Sequence, residues 1–414
     1  MSPFRRIAFA ALALALTASP ALATKNLIPA FARKYGVSCQ LCHAPVPKLT
    51  PAGEKFAANG FEFEPGEEPR DTIATGDPTL RLQKALPLAV RFDAFTTAMT
   101  KTAEGQPTAD MKAPWVIKLL SGGQVANKVS YYTYFLLTEA GDVAGLEDAY
   151  LQFTDVGKSG VNVIVGQFQV SDPLFKRELR LMYDDYMPYK VKVGNATPDL
   201  TYDRGITAFG SPWEGGNVTV SVLTGRGLSA AGEGGNYDTD RDKNFAFRVT
   251  QEFGTLRVGG FAYTGSEKAN EYRNTTTVFG PDATLTMGKL ELNAQYLQRK
   301  DDNPYFGACS IATPCPGGNT RVFGTTVKSG FAEAIYAPQG AAGKLFLTGL
   351  YNWADADAPV MHLGVGEEAP LSKYRTASGG VHWLYHRNMR FTGEMMWDFE
   401  REIGRVLVGL VVGF

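Results

Sequence analysis

The chain has 414 residues, with 41 basic and 42 acidic side chains, four histidines and four cysteines. Leaving out Arg5 and Arg6, the balance is 39 − 42 = −3, which gives no electrostatic basis for binding nucleic acid. No Ser/His/Asp triad, phosphate loop or paired catalytic carboxylates can be argued, while 45 glycines and 12% aromatic residues fit a β-rich exported protein.

Residues 1–23 read as a secretory signal. Arg5 and Arg6 give a basic start, Ile7 to Thr17 is apolar but too short to span a bilayer, and Ala21-Leu22-Ala23 is a small-x-small cleavage site. Residues 24–80 read as a small α-helical segment. One helix is expected through Ala30-Phe31-Ala32-Arg33-Lys34-Tyr35, ending at Gly36. Next comes Cys39-Gln40-Leu41-Cys42-His43, the attachment pattern of c-type haem. In that chemistry both thiols bond to the haem vinyl groups, and the histidine is the proximal iron ligand. A second helix is predicted from Thr50 as N-cap and Pro51 at its first position, with Glu54 at its positive end and a stop at Gly60. Phe31, Leu41, Leu49, Phe56, Phe61 and Phe63 are available to wall one covalent haem c. So short a segment buries too little surface to enclose it alone, so it is expected to lean on the rest of the chain.

Residues 81–414 change to period two. At the C-terminus Val406, Val408, Leu410, Val412 and Phe414 fall on one wholly apolar face, opposite Arg405, Leu407, Gly409, Val411 and Gly413. A strand between lipid and a barrel lumen needs this pattern. The stretches around Val161–Val165, Val218–Val222, Phe245–Val249, Leu290–Ala294 and Phe391–Trp397 repeat it. Short connections such as Asn127-Lys128, Gly254-Thr255, Gly288-Lys289 and Arg387-Asn388 alternate with long ones such as Ser171–Asp199 and Gly225–Asp242. Counting from Leu86 gives 16 strands. The predicted fold is therefore all-β: a 16-stranded antiparallel transmembrane β-barrel in the bacterial outer membrane, bathed in its lipid. An even count puts both ends on the periplasmic side, where the haem segment starts.

Other residues carry narrower expectations. Cys309 and Cys315, in a Gly/Pro loop of an exported chain, are expected to form a disulfide. The haem segment holds no Met and no His beyond His43, so a distal iron ligand must be a lysine, the new N-terminal amine or a barrel side chain. Met99, Met111, Met182, Met361, His362, His382, His386 and Met396 are the barrel candidates. His382 leads, because alternation puts it and His386 in the lumen, where an unpartnered histidine is costly. Glu233, Asp238, Asp240 and Asp242 in one long loop, and Asp355, Asp357, Glu367 and Glu368 in another, offer hard oxygen donors for divalent cations. Leu174, Leu179, Met182 and Tyr186 lie near helical spacing and suggest a loop helix folded into the lumen.

The run from Ile28 to Ser38 into the haem motif, followed by Pro47, Leu49, Gly53, Phe56 and Gly60-Phe61, resembles the fused outer-membrane monohaem cytochrome–porins of iron-oxidising bacteria. Gly166-Gln167-Phe168 and Asp203-Arg204-Gly205 also resemble phosphate-selective porins. The first resemblance implies a haem segment that plugs or caps a 16-stranded porin, held through Cys39, Cys42 and His43. It implies an Fe(II):cytochrome c oxidoreductase role, with extracellular Fe(II) as electron donor and a periplasmic c-type cytochrome as acceptor. A conduit of other donor or direction, and a solute porin with a haem-bearing plug, are the alternatives.

Overall fold

The computed structural model describes residues 30–414 except 69, 71, 78, 81, 103–107, 172–176, 199, 239, 270–271, 308–323 and 364–368. The expected signal segment, the Cys309–Cys315 pair, Leu174, Glu367 and Glu368 lie outside the described residues.

Sixteen antiparallel strands close into a barrel. In chain order they are β1 (Leu88–Met99), β2 (Ala109–Ala126), β3 (Val129–Glu139), β4 (Gly145–Phe153), β5 (Val161–Gln169), β6 (Tyr202–Gly210), β7 (Gly216–Leu223) and β8 (Asn244–Phe253). They continue with β9 (Leu256–Ala269), β10 (Tyr272–Met287), β11 (Leu290–Asp301), β12 (Thr325–Tyr336), β13 (Leu345–Ala356), β14 (Lys373–His386), β15 (Met389–Asp398) and β16 (Ile403–Gly413). Each strand pairs with its sequence neighbour, and β16 closes on β1 from Arg405↔Met99 to Gly413↔Arg91. Closure leaves no free sheet edge, which is what a strand-built membrane span requires.

Alternation decides which side chains face out. Phe245, Phe247 and Val249 of β8 are exposed, whereas Ala246, Arg248 and Thr250 between them are buried. In β16 Val406 and Val408 point out, and Leu407 and Val411 point in. The exterior is thus an apolar belt suited to lipid. Polar networks line much of the interior, including the Arg248–Asp282 and Arg299–Asp301 pairs at 2.5 and 2.7 Å. The two porin-like motifs lie opposite each other, with Gly166↔Gly205 and Phe168↔Asp203 paired across β5 and β6.

Alternation misplaces His386. The register shifts between Leu384 and His386, so His386 is exposed and its ring rests on Tyr385, 4.6 Å between centroids. A bulge of this kind breaks the two-residue period.

The long connection between β5 and β6 folds into the lumen, as expected, but not as one helix. Its described part holds a single tight turn at Arg177–Leu179 and one short helix, Met187–Lys190. Its backbone donors go to barrel side chains instead: the Tyr183 amide to Glu394 at 2.9 Å and the Met187 amide to Asn352 at 3.1 Å. Asp184 is tied to Arg405 and Ser378, each at 2.7 Å. Met182, Tyr186 and Tyr189 pack with Leu200, Phe261 and Phe331 into an apolar core inside the barrel. The lumen is therefore filled rather than open along this loop.

Candidate functional site

Two short helices build the site. The first, α1 (Ala30–Tyr35), ends at Gly36, whose φ of +66° suits glycine. The second, α2 (Pro51–Ala58), ends at Asn59 and Gly60, with φ +74° at the glycine. Phe31 and Tyr35 stand one turn apart and meet the Phe56 ring edge-on at 5.3 and 5.4 Å. Phe31 also stacks on Phe61 at 5.0 Å, and Phe61 stacks on Tyr132 of β3 at 5.4 Å.

The Cys-x-x-Cys-His stretch is held between these helices by the backbone. Cys39–Leu41 forms a single tight turn, and the His43 amide donates to Cys39 O at 2.8 Å. Thr50 acts at two places: its hydroxyl accepts from the Gly53 amide and donates to Leu41 O at 2.7 Å. The Thr50 amide donates to Cys42 O at 2.9 Å. A Cβ on Gly53 would lie 2.4 Å from that same Cys42 oxygen, so only glycine lets α2 approach the motif. The His43 ring donates from Nδ1 to Pro47 O at 2.9 Å. That bond fixes the tautomer and leaves the Nε2 lone pair for a metal. Burial pushes the His43 ring below the ordinary imidazole range, offset in part by the backbone of Pro47 and Lys48. Burial likewise raises both thiols, Cys39 and Cys42, which are unbridged.

The segment sits inside the short-turn end of the barrel. Gln152 of β4 and Asn162 of β5 donate to Ala58 O at 2.7 and 3.1 Å, satisfying a carbonyl that the end of α2 leaves free. Lys48 pairs with Glu291 of β11 at 2.9 Å, and Gln40 donates to Ala342 O at 2.8 Å in the turn after β12. Between the segment and the wall lies a largely apolar cavity of about 290 Å³. Cys39, Cys42, His43, Phe31, Leu49 and Phe56 line it from the segment. Val90, Leu120, Tyr132, Tyr134 and Val411 line it from the barrel, and Glu178 and Leu179 from the lumenal loop. Two thiols, a poised imidazole and aromatic walls around one cavity fit a flat apolar cofactor with thiol-reactive arms and a central metal, which is the chemistry of a c-type haem. Leu41, expected as a wall, is exposed and faces away from the cavity.

The structure brings none of the barrel methionines or histidines to this cavity. His382 is fully buried in the lumen, as alternation predicts, but its Nε2 and Nδ1 meet the hydroxyls of Thr348 and Thr392 at 2.8 and 2.9 Å. Met182 packs in the lumenal core, and Met361 and His362 pair with Lys192 and Val193 elsewhere. Met111 is exposed. The cavity residues that sequence reasoning missed are Lys118, Arg91 and Glu178. They sit on strands and a loop far from the motif, and only closure of the barrel brings them there. Acidic side chains from both stretches are already paired: Asp238 with Lys243, Asp242 with Arg273 of β10 at 2.9 Å, and Asp355 of β13 with Arg375 of β14 at 3.2 Å. Among the described residues no group of three His, Cys, Asp or Glu side chains could hold a metal ion.

No family model and no curated protein sequence matches the chain. Its architecture matches solved outer-membrane barrels. The anion-selective porin from Comamonas acidovorans aligns with TM-score 0.56 and 11% identity, over 80% of this chain and 99% of that one. The outer membrane channel DcaP of Acinetobacter baumannii aligns with TM-score 0.53 and 14% identity, over 80% and 97%. In-vitro folded OmpT of Vibrio cholerae, in its trimer form, gives 0.54 and 11%, over 80% and 99%. The chain thus has the porin-like outer-membrane β-barrel fold, spanning nearly the whole of these proteins with about a fifth of its own length left over.

Proposed function

We propose that the protein is an outer-membrane electron conduit, passing electrons from extracellular Fe(II) to a periplasmic c-type cytochrome through one covalent haem c in the N-terminal segment. The observation that carries this reading is the cavity that gathers both motif thiols and the tautomer-fixed His43 against the barrel wall. Cys39 and Cys42 would hold the group covalently, and His43 Nε2 would ligate its iron. When bound, the haem supplies a one-electron carrier. The chain's own part would be placement: Phe31, Phe56, Phe61 and Tyr132, which line the cavity, would exclude water from the haem, and the thiols would keep it at the short-turn end, the periplasmic end on this proposal. The inward-folded loop between β5 and β6 fills the lumen with packed protein, so electrons cross through side chains rather than a water channel. The porin-like fold favours a second reading, a solute porin with the segment as its plug.

Stopped-flow mixing of the purified full chain with Fe(II) tests the proposal. Rapid haem reduction, lost in His43→Ala, is expected. Covalent haem that stays oxidised in Fe(II) across a range of pH, yet is reduced by periplasmic-type donors, overturns the iron reading. Free passage of sugars in liposome swelling would favour the solute porin.

A further inference from the structure

The outward face of the barrel changes character toward the long-connection end of β11 to β14. Tyr296 of β11 and Trp353 of β13 flank Gly330 of β12 in one row, with their rings 5.9 Å apart. A Cβ on Gly330 would come within 2.7 Å of the indole nitrogen, so glycine lets the two rings close over that strand. Below this row Leu292, Leu347 and Tyr351 are exposed, as a lipid-facing belt requires, and the exposed Tyr336 marks its other margin at the turn after β12. Tyr and Trp rings at the margins of such a belt sit at headgroup level. Two residues further along each strand, about 7 Å, the outward row becomes Gln298, Lys328, Asp355 and Lys373, each paired with the next. Lys300 follows one row on, beside Thr326.

Lys300, Lys328 and Lys373 are exposed, and among the described residues none of their ammonium groups is in an ion pair. The acids beside them are engaged elsewhere: Asp355 with Arg375 at 3.2 Å, and Asp357 with the Thr326 amide at 3.0 Å. Lys300 and Lys328 lie on one diagonal of the β11–β12 ladder, roughly 7–8 Å apart at Cβ, and share a shallow groove with Thr326 and Asp357. That spacing lets two ammonium groups converge on one phosphate. Lys373 stands two strands from Lys328, roughly 10 Å away. We propose that this face binds lipid A, the acylated disaccharide of the outer leaflet that carries two phosphates, with Lys300 and Lys328 on one phosphate and Lys373 on the other. Three features select a lipid over a soluble anion. The lysines point out of the barrel, not into the lumen. They stand just beyond an aromatic row at headgroup level, and the wall beneath them is apolar and open to acyl chains. Long connections face the cell exterior in barrels of this class, which puts the lysines in the outer leaflet. The site is independent of the haem.

The test is native mass spectrometry of the purified full chain, stripped of lipid in detergent and titrated with bis-phosphorylated lipid A. Wild-type protein should retain the lipid. Lys300→Gln with Lys328→Gln should bind it about tenfold more weakly or worse, while heat-modifiable gel mobility shows the barrel still folded. Lys158→Gln, at the exposed short turn between β4 and β5 on the opposite rim, should bind as wild type does. Lipid A stripped of both phosphates should bind the wild type no better than the double variant binds the intact lipid. Equal retention of intact lipid A by wild type and double variant, or equal retention of the intact and phosphate-free lipids by the wild type, overturns the proposal and leaves a belt that holds lipid by its acyl chains alone. Displacement of lipid A by an equal concentration of inorganic phosphate also overturns it, and assigns the lysines to a free anion.

Discussion

The barrel and the N-terminal segment solve the same problem, burying apolar surface, by opposite means. Each barrel strand hydrogen-bonds to two neighbours along its length, and its outward face is completed by lipid. The segment has helices of six and eight residues, and one two-residue ladder, Thr72–Ile73 with Leu82–Gln83, joins it to the stretch that leads into β1. Its aromatic rings surround a cavity instead of a solid core, and its outer wall is borrowed from β1 to β5 and β16. The barrel needs a pattern repeated many times. The segment needs particular residues at particular places, plus a scaffold that already exists.

That contrast can be broken from either side. The largest effect is expected at the motif: Cys39→Ala with Cys42→Ala should abolish the haem stain that survives denaturation, while gel mobility shows an intact barrel. Conversely Val408→Arg, on the outward face at the middle of β16, should cost the barrel about 2–4 kcal/mol in lipid or detergent unfolding. Gly53→Ala should strain the segment by ~1–3 kcal/mol, since its Cβ would meet the Cys42 carbonyl; a broadened haem spectrum at unchanged barrel stability is the expected readout. Removing the amides that cap α2, Gln152→Ala with Asn162→Ala, should loosen the segment by about 1 kcal/mol each, seen as faster proteolysis near residue 60 with the barrel still resistant. The smallest effect concerns Cys309 and Cys315: neither should react with a thiol reagent in non-reducing denaturant, and reduction should leave barrel stability nearly unchanged.

The same contrast explains what the sequence made legible. Period-two alternation and short turns gave the 16 strands and the correct face for His382, because each strand reports its own orientation. Thr50, Pro51, Gly36 and Gly60 gave the helix limits, because caps and left-handed glycines act locally. Where long-range contact decides, local reading failed. His386 moved out at a bulge set by pairing with β15, and the β5–β6 connection traded helix for bonds to Glu394 and Asn352. The lumenal apolar core was invisible because its members come from many strands. Lys118, Arg91 and Glu178 are separated from the motif by scores of residues, so no spacing could point to them.

The seam where the barrel closes carries a consequence for the order of assembly. The Val90 amide donates to Phe414 O at 2.6 Å, and the Phe414 amide returns to Val90 O at 2.9 Å. Val90 and Arg91 on one side of this seam, and Val411 and Gly413 on the other, line the same cavity. Its wall is therefore built from the beginning and the end of the barrel chain and exists only when the last strand zips to the first. A nascent or unfinished barrel has the thiols but no chamber. On the haem reading proposed above, cofactor attachment and cofactor shelter would be separate events in time, the first governed by a pentapeptide, the second by closure of the barrel. A protein ending before residue 403 should still acquire the covalent group yet leave it open to small external ligands such as cyanide, whereas the closed barrel should resist them.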